Sequence, residues 1–430
     1  MTVDGLLLKA RDLIAAGKLN DADAILEPLK SEQPLSQDVA RLWCSVAMRT
    51  NRTVEALGYA AQIYAHVNGD FYKAHWAHVL GTASFVLLDL PSAQSHFSRS
   101  LNHLMALAKS GKVPPQKREA KSQRPDNNIF LSGEAESLLW STCAQLAKQN
   151  IPAFPYAGTL LGLTRSGRLL EFDKDLDIAV WMESWEACCA ELESAGWVRS
   201  SMRIDYANYR DYIHPELGIT LDVCGLQRNG QHITGGFELP DFPPEYQRIS
   251  VFPPFDLIQR ETAFGPCWYP RQPEIILSAF YGDWRTPNPH WDTVISAQNL
   301  QNFSLLVRCY AYHRLAQNWL LGDLSKAWSY AHQVVLKDPD DTIALRSRQW
   351  IERALDRLNR PIPDWPKNQK QKRVFTRMVA DLFHEGHANF LKAARNLGTH
   401  LTVCVVSDQR VVENKGKLPV MNQAERAAVV

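Results

Sequence analysis

The chain has 430 residues, too many for one hydrophobic core, and this length predicts about three or four structural units. Its 47 basic and 46 acidic residues nearly balance, so the overall charge does not indicate a nucleic-acid partner. Eight cysteines occur without a Cys-x-x-Cys pair, which argues against a zinc ribbon or a disulfide framework and favours reduced thiols.

The N-terminal sequence MTVDGLLLKARDLIAAGKLN does not have a basic stretch followed by an apolar one, so we expect no signal peptide. No apolar run approaches the roughly 20 residues that a transmembrane helix needs. We therefore expect a cytoplasmic protein without a transmembrane segment. Peripheral association with the inner face of the membrane stays open.

A six-residue pattern repeats in residues 1–109 and returns once in residues 298–359. It occurs as GKLNDA from Gly17, NRTVEA from Asn51, LDLPSA from Leu88 and GDLSKA from Gly322. A period of about 34 residues, with a turn residue ahead of a small alanine, resembles tetratricopeptide repeats, in which paired helices approach closely at that alanine. The resemblance implies α-helical repeats that can dock a protein partner. Generic amphipathic helix pairs are the alternative.

Two segments rich in proline and charge have the composition of linkers. They divide the chain into six predicted parts: repeats at 1–109, a linker at 110–129, a central domain at 130–297, a further repeat at 298–359, a linker at 360–372 and a C-terminal segment at 373–430.

The central domain contains a run of alternating acids, Asp173, Asp175 and Asp177, that enters the strand-like sequence LDIAVW. Because side chains alternate along a strand, Asp175 and Asp177 project from the same face. Their negative charges repel one another, so the pattern predicts a bound cation. An exposed turn neutralised by neighbouring basic residues is the alternative.

A second predicted strand, GITLDVCGL, contains Asp222 among apolar neighbours. Burying an unpaired carboxylate is costly, so we expect Asp222 to join the same cation site. One or two carboxylates per ion, with water and phosphate in the other positions, suit Mg²⁺. Gly158 and Thr159 begin a predicted helix, whose free N–H groups can bind a phosphate.

Several further motifs follow in order along this domain: Gly158-Thr159-Leu160-Leu161-Gly162, Arg165-Ser166-Gly167, the aspartates, Arg260, Phe264-Gly265, Pro270 and Tyr281-Gly282-Asp283-Trp284. Together they resemble the LicD/fukutin-type nucleotidyltransferase-fold family, whose third aspartate on a later strand is matched by Asp222. Glu171-Phe172 stands where the family commonly has Pro-Trp. The resemblance implies an α+β nucleotidyltransferase-fold domain.

This resemblance also implies a reaction. A phospho-alcohol, either phosphocholine or a polyol phosphate, would pass from a CDP-activated donor to a hydroxyl of a cell-surface glycan. Asp175, Asp177 and Asp222 would be catalytic and would hold Mg²⁺ or Mn²⁺, and the remaining predicted site residues would contact the phosphates of the donor: Gly158, Thr159, Arg165 and Asp173. The identity of the general base among the aspartates stays open.

The C-terminal segment carries the pattern of a second site. VFTRMVA and LTVCVVSD predict strands on either side of an amphipathic helix, as at the beginning of a parallel α/β sheet. The residues around this helix resemble the cytidylyltransferase family with its HxGH signature: Asp381, His384, Gly386, His387 and Lys415. The resemblance implies a partial Rossmann-like segment with a nucleotide site for CTP, formed by Asp381, His384, His387 and Lys415. A metal-binding pair or two surface histidines are the alternatives. The segment has about half of the family's length, so we do not expect it to be active alone.

Three functions follow from these patterns. The first is the Mg²⁺-dependent transfer of a phospho-alcohol to a glycan. The second is a cytidylyltransferase that makes a CDP-alcohol from CTP and a phospho-alcohol, and the third is a repeat scaffold with degenerate catalytic units. The retained acids disfavour the scaffold, because a degenerate site has no reason to keep three mutually repelling carboxylates.

Overall fold

The computed structural model describes residues 2–114, 133–171, 173–200, 204–365, 373–396 and 400–430. The chain divides into two compact units, Met1–Pro363 and Asp364–Val430. Parts of both predicted linkers, residues 115–129 and 366–372, lie outside the described residues. The predicted domain limits stay a prediction.

Helices form the N-terminal region, and each packs against the next one in the chain. They are α1 (Val3–Ala15), α2 (Leu19–Glu32), α3 (Gln37–Arg49), α4 (Thr53–His66), α5 (Asp70–Val86) and α6 (Leu90–Lys109). The alanines of the repeating pattern, Ala22, Ala56 and Ala93, are fully buried, as close helix packing requires. The helical character of this region is confirmed, whereas its assignment to tetratricopeptide repeats stays a prediction.

Three helices after the central domain return to the same array. They are α11 (Leu305–Leu320), α12 (Leu324–Lys337) and α13 (Thr342–Arg357). Helix α11 packs against α5 and α6, and α13 packs against α6. The Cys309 thiol donates to the Leu90 carbonyl at 3.3 Å, and Arg357 donates to the Ala108 carbonyl at 3.0 Å. The central domain is therefore inserted between two helices, α6 and α11, that are neighbours in space.

The central domain is α+β with a mixed sheet. Its helices are α7 (Glu134–Lys148), α8 (Ala157–Ser166), α9 (Trp185–Ser194) and α10 (Pro273–Tyr281). Its strands are β1 (Phe154–Pro155), β2 (Asp175–Trp181), β3 (Val198–Arg199), β4 (Tyr209–Ile213), β5 (Thr220–Asn229), β6 (His232–Phe237), β7 (Arg248–Phe252), β8 (Leu257–Thr262) and β9 (Gly265–Pro270). The sheet order is β1-β2-β5-β4-β3, with β6 between β5 and β7, and β8 and β9 form a separate hairpin. Strands β2 and β5 are parallel, and the other pairs are antiparallel.

The two faces of this sheet have different partners, because side chains alternate along each strand. Ile178 and Val223 lie on one face, in a core formed with α7 and α9. Ala179, Trp181 and Leu226 lie on the other face, in a core formed with α8 and α10. The predicted acids alternate with Ile178 and Val223, so they lie on the face that α8 and α10 cover.

The C-terminal unit contains β10 (Arg373–Met378), α14 (Glu385–Asn396), β11 (His400–Val405), α15 (Asp408–Lys415) and α16 (Gln423–Val429). Strands β10 and β11 pair in parallel, which confirms the predicted strand–helix–strand order. Arg426 is fully buried and donates to the carbonyl oxygens of Val379, Val406 and Met421 and to the Asp408 carboxylate. Of the helices that the structure describes, none combines the length and the hydropathy of a membrane span.

Candidate active site

Acids from three neighbouring strands form a row on one face of the central sheet. Asp177 of β2 lies directly opposite Asp222 of β5, and Asp222 lies directly opposite Asp211 of β4. Directly opposite residues in paired strands have their side chains on the same face. Asp175 lies two residues before Asp177 on this face, opposite Thr220. We call Asp173, Asp175, Asp177, Asp211 and Asp222 the acid cluster.

The first turn of α8 lies against this cluster. The Thr159 N–H donates to Asp177 Oδ2 at 3.2 Å, and the Asp177 N–H donates to Thr159 Oγ1 at 2.8 Å. A Cβ on Gly158 would lie 3.1 Å from Asp177 Oδ2 and 3.3 Å from Asp173 Oδ2. The two carboxylates thus converge on a residue without a side chain, which leaves room at the helix N-terminus. The phosphate-binding role of Gly158 and Thr159 stays a prediction, since the described bonds of Thr159 are to Asp177.

Burial raises the pKa values of four of these acids, Asp173, Asp175, Asp177 and Asp222, and repulsion between carboxylates adds to the shift for Asp173, Asp177 and Asp222. Burial, with a further contribution from the Asp175 charge, raises the pKa of Asp173 to about 7, although Arg165 opposes the shift. Burial, followed by the charge of Asp222, raises the pKa of Asp177 well above its ordinary value. Burial alone raises the pKa of Asp175. Without a counter-charge, Asp173 therefore holds a proton close to neutral pH.

Tyr209 holds Asp222 in place. Its hydroxyl donates to Asp222 Oδ2 at 2.8 Å. Burial raises the pKa of Asp222 to about 7, the hydrogen bond from Tyr209 opposes this, and the charges of Asp175 and Asp211 add to it. The sequence prediction did not include Tyr209 or Asp211. The alternation in YRDYI puts both on one strand face, which is the signal that could have found them.

The arrangement fits a cation that substrate oxygens help to bind. Asp173 Oδ2 is buried and has no hydrogen-bond partner among the described residues. Those residues contain no group of three or more His, Cys, Asp or Glu side chains arranged to hold a metal ion by themselves. Mg²⁺ is commonly held by one or two carboxylates together with water and phosphate, so an incomplete set of ligands is compatible with it. The metal site at Asp175, Asp177 and Asp222 stays a prediction.

Two distant motifs meet the acid cluster. Arg165, in the last turn of α8, donates to the Trp284 carbonyl at 3.4 Å and acts electrostatically on Asp173. Burial, followed by the charges of Asp177 and Asp173, raises the pKa of Tyr281 well above its ordinary value. The Tyr281-Gly282-Asp283-Trp284 segment therefore lies beside the acids although it is about 100 residues further along the chain.

Three of the predicted residues of the C-terminal unit, Asp381, His384 and His387, lie near the start of α14. The rings of His384 and His387 have centroids 4.1 Å apart, and the Gly386 N–H donates to His384 Nδ1 at 3.1 Å. The carboxylate of Asp381 accepts from the N–H groups of Val420 and Met421, which lowers its pKa. Lys415 is the last residue of α15 and is exposed. The two histidines thus come together, and Asp381 binds backbone groups of the same unit.

Two family models match the chain at these sites. Residues 150–216 match the model described as LicD/FKTN/FKRP, nucleotidyltransferase domain, and residues 379–430 match the model described as cytidylyltransferase-like. Both predicted resemblances are thereby confirmed. The first match includes the motifs from Gly158 to Asp177 and ends before Asp222. The two segments support a transferase with a function related to nucleotidyl or phosphoryl transfer.

Similar curated proteins include two that are named for nucleotide chemistry. FAD synthase of Thermococcus sibiricus is 45% identical over 62 residues, which are 14% of this chain and 42% of that protein. Ethanolamine-phosphate cytidylyltransferase of Dictyostelium discoideum is 48% identical over 63 residues, 15% of this chain and 17% of that protein. Bifunctional protein HldE of Methylobacillus flagellatus is 38% identical over 77 residues, 18% and 16% of the two chains. This chain spans less than half of the length of each of these relatives.

Among solved structures, the similarity to the lincosamide antibiotic adenylyltransferase LnuA with bound lincomycin covers 35% of this chain and 86% of that protein, with 14% identity and a TM-score of 0.25. The similarity to ANT(2″)-Ia in complex with adenylyl-2″-tobramycin covers 51% of this chain and 98% of that protein, with 13% identity and a TM-score of 0.24. At these TM-scores the similarity carries no argument about fold or substrate.

Proposed function

We propose that the central domain transfers a phospho-alcohol from a CDP-activated donor to a hydroxyl of a glycan, with Mg²⁺ bound at the acid cluster. The observation that carries this proposal is the pairing of Asp177 with Asp222 across two parallel strands beside the N-terminus of α8. Two half-buried carboxylates with raised pKa values repel each other when both are ionised, whereas a divalent cation bound between them makes the ionised pair favourable.

The residues of this chain have distinct tasks in that reaction. Asp175, Asp177 and Asp222 would hold the metal, which neutralises charge on the diphosphate when it is bound. Thr159 orients Asp177 through two hydrogen bonds, and Tyr209 orients Asp222 through one. Arg165, fixed at the Trp284 carbonyl, supplies a positive charge beside Asp173 for a donor phosphate.

The bond changes are those of an in-line displacement at phosphorus. The acceptor hydroxyl oxygen bonds to the phosphorus that carries the alcohol, and the bond from that phosphorus to the bridging oxygen of CMP breaks. CMP leaves, and the proton of the hydroxyl passes to a carboxylate of the acid cluster or to water.

A donor screen tests the proposal. The full chain is incubated with Mg²⁺ and, separately, CDP-choline, CDP-ribitol or CDP-glycerol, with water as the acceptor in place of the glycan hydroxyl, and CMP release and the thermal unfolding midpoint are measured. We expect one donor to give CMP release and a Mg²⁺-dependent rise in the midpoint, and Asp177→Asn to abolish both. Asp241→Asn, at an exposed position, is the matched control. Absence of both responses with every donor in the wild type would overturn the proposal.

Cytidylyl transfer in the C-terminal unit is a second candidate function. It is favoured by the match of residues 379–430 and by the contact between His384 and His387, which can stabilise charge on a triphosphate. Pyrophosphate release from CTP with phosphoethanolamine or phosphocholine would support it, provided that His384→Ala removes the activity. Pyrophosphate release that His384→Ala does not change would contradict it.

A further inference from the structure

A groove of about 270 Å³ lies between the last turn of α8, the β8–β9 hairpin and the start of α10. Its walls include Leu163, Thr164, Ile258, Arg260, Tyr269 and Arg271. None of the residues proposed above to bind the metal or the donor lines this groove.

Two guanidinium groups, those of Arg260 and Arg271, give the groove positive charge. The Arg260 guanidinium stacks on the Tyr269 ring at 4.5 Å, and the hydroxyls of Tyr269 and Thr164 are 3.5 Å apart. Neither Arg260 nor Arg271 forms an ion pair with any residue that the structure describes, and both are exposed. A guanidinium offers paired donors that suit a phosphate or a carboxylate. The half-buried Thr164 hydroxyl beside the guanidinium groups can hydrogen-bond to a sugar.

The groove and the acid cluster both adjoin α8 and α10, and the Arg165 side chain in the last turn of α8 acts on Asp173. Thr159 in the first turn of α8 and Tyr281 at the end of α10 adjoin the acids, whereas Thr164 and the start of α10 line the groove. With a rise of 1.5 Å per residue, the axial separation is about 7.5 Å from Thr159 to Thr164 along α8 and about 12 Å from the start to the end of α10. A substrate of a few sugar units can therefore extend from one to the other.

The charge of the donor is already accounted for at the acid cluster. The two phosphates of the donor would lie at the metal and Arg165. The alcohol of the donor is either neutral or, for choline, positive, so it offers no negative charge to two further guanidinium groups. We propose that the groove is the acceptor subsite and that it selects a glycan carrying an anionic group, a phosphate or a carboxylate. The assignment to the acceptor rests on the function proposed above.

Binding of simple sugar anions tests this inference on the full chain. Affinities for glucose 6-phosphate, glucuronate and glucose are measured by calorimetry at constant ionic strength without Mg²⁺. We expect at least one of the two anions to bind at least tenfold more tightly than glucose, and the stronger one identifies the anionic group. Arg260→Gln/Arg271→Gln should remove this difference. Arg353→Gln is the matched control, because Arg353 is exposed and stacks on Trp350 at 4.6 Å.

Further variants separate this inference from the proposed function. Asp177→Asn should lose Mg²⁺-dependent binding of CDP-choline and keep the binding of the sugar anion. If the double variant does not fold, as judged by its thermal unfolding, the single variant Arg271→Gln should show at least a threefold loss. Equal anion affinity in the wild type and a folded variant, or no preference for either anion over glucose, overturns the inference. Failure of donor binding alone overturns only the proposed function.

Discussion

Asp177 of β2 and Asp222 of β5 face each other across a parallel strand pair, with like charges directly opposite. Such a pair destabilises a sheet unless the carboxylates are protonated or share a cation. Because Asp211 continues the row on β4, the unfavourable charge extends over three strands. The stability of this domain should therefore depend on pH and on divalent metal.

Replacing Asp173 by asparagine should stabilise the metal-free protein at alkaline pH. The folded-state pKa of Asp173 is about 7 against an ordinary value of 3.8, so the folded state binds this proton more tightly than the unfolded state. The stabilisation of the folded state that comes from this bound proton is present at low pH and is lost as the pH rises from about 4 to about 7. Asp173→Asn should therefore gain about 1–2 kcal/mol at pH 8, after discounting for partial exposure, and little at pH 4.

Thermal unfolding in the presence of a chelator, at both pH values, measures this difference. Asp241→Asn is the exposed control and should behave as the wild type does. An Asp173→Asn variant that is less stable than the wild type at pH 8 would show that Asp173 makes a favourable interaction in the metal-free protein.

Gly158→Ala should impair the site and leave the fold intact. The new methyl group would lie 3.1 Å from Asp177 Oδ2 and 3.3 Å from Asp173 Oδ2, closer than ordinary van der Waals contact. The carboxylates must move apart, so we expect at least a tenfold loss of Mg²⁺-dependent CMP release with little change in unfolding. Gly58→Ala on α4, where a Cβ meets no atom within 4 Å, is the control and should gain up to about 1 kcal/mol. Unchanged CMP release in Gly158→Ala would argue that Gly158 is remote from the reaction.

Thr159→Val should destabilise the central domain, because it removes the acceptor for the Asp177 N–H at nearly constant volume. An unpaired buried N–H costs about 1–3 kcal/mol. Chemical denaturation of the wild type, Thr159→Val and Thr159→Ser measures the cost. The serine variant keeps the hydroxyl and should retain most of the stability. A loss in Thr159→Val that is no larger than the loss in Thr159→Ser would contradict a stabilising role for the hydroxyl.

Tyr209→Phe should move the pH dependence of the reaction. The phenol hydrogen bond favours ionised Asp222, and its removal should raise the pKa of Asp222 further above the ordinary value. The acidic limb of the pH profile of CMP release should therefore shift to higher pH. Tyr206→Phe is the control, since the rings of Tyr206 and Tyr209 both contact the Phe237 ring. A loss of activity without a shift in the profile would indicate a purely structural role.

Local patterns in the sequence predicted the parts of this site that lie within one element. The alternation in LDIAVW and GITLDVCGL placed Asp177 and Asp222 on strands, and both strands are present. The register that sets them opposite each other depends on β2 and β5 being parallel neighbours, which no single segment encodes. The same holds for Asp211 and for the bond from Arg165 to Trp284, which join residues distant in the chain.

The insertion of the central domain affects the order in which the chain can fold. Helix α6 ends at Lys109, and α11, which packs on it, begins at Leu305. At about 5–20 residues per second, a ribosome needs on the order of 10–40 s to make the intervening residues. During that time one side of α6 stays exposed to solvent and to chaperones. The early helices can acquire their final partner only after the inserted domain has been made, so slow folding of that domain would leave the array that carries it open to aggregation.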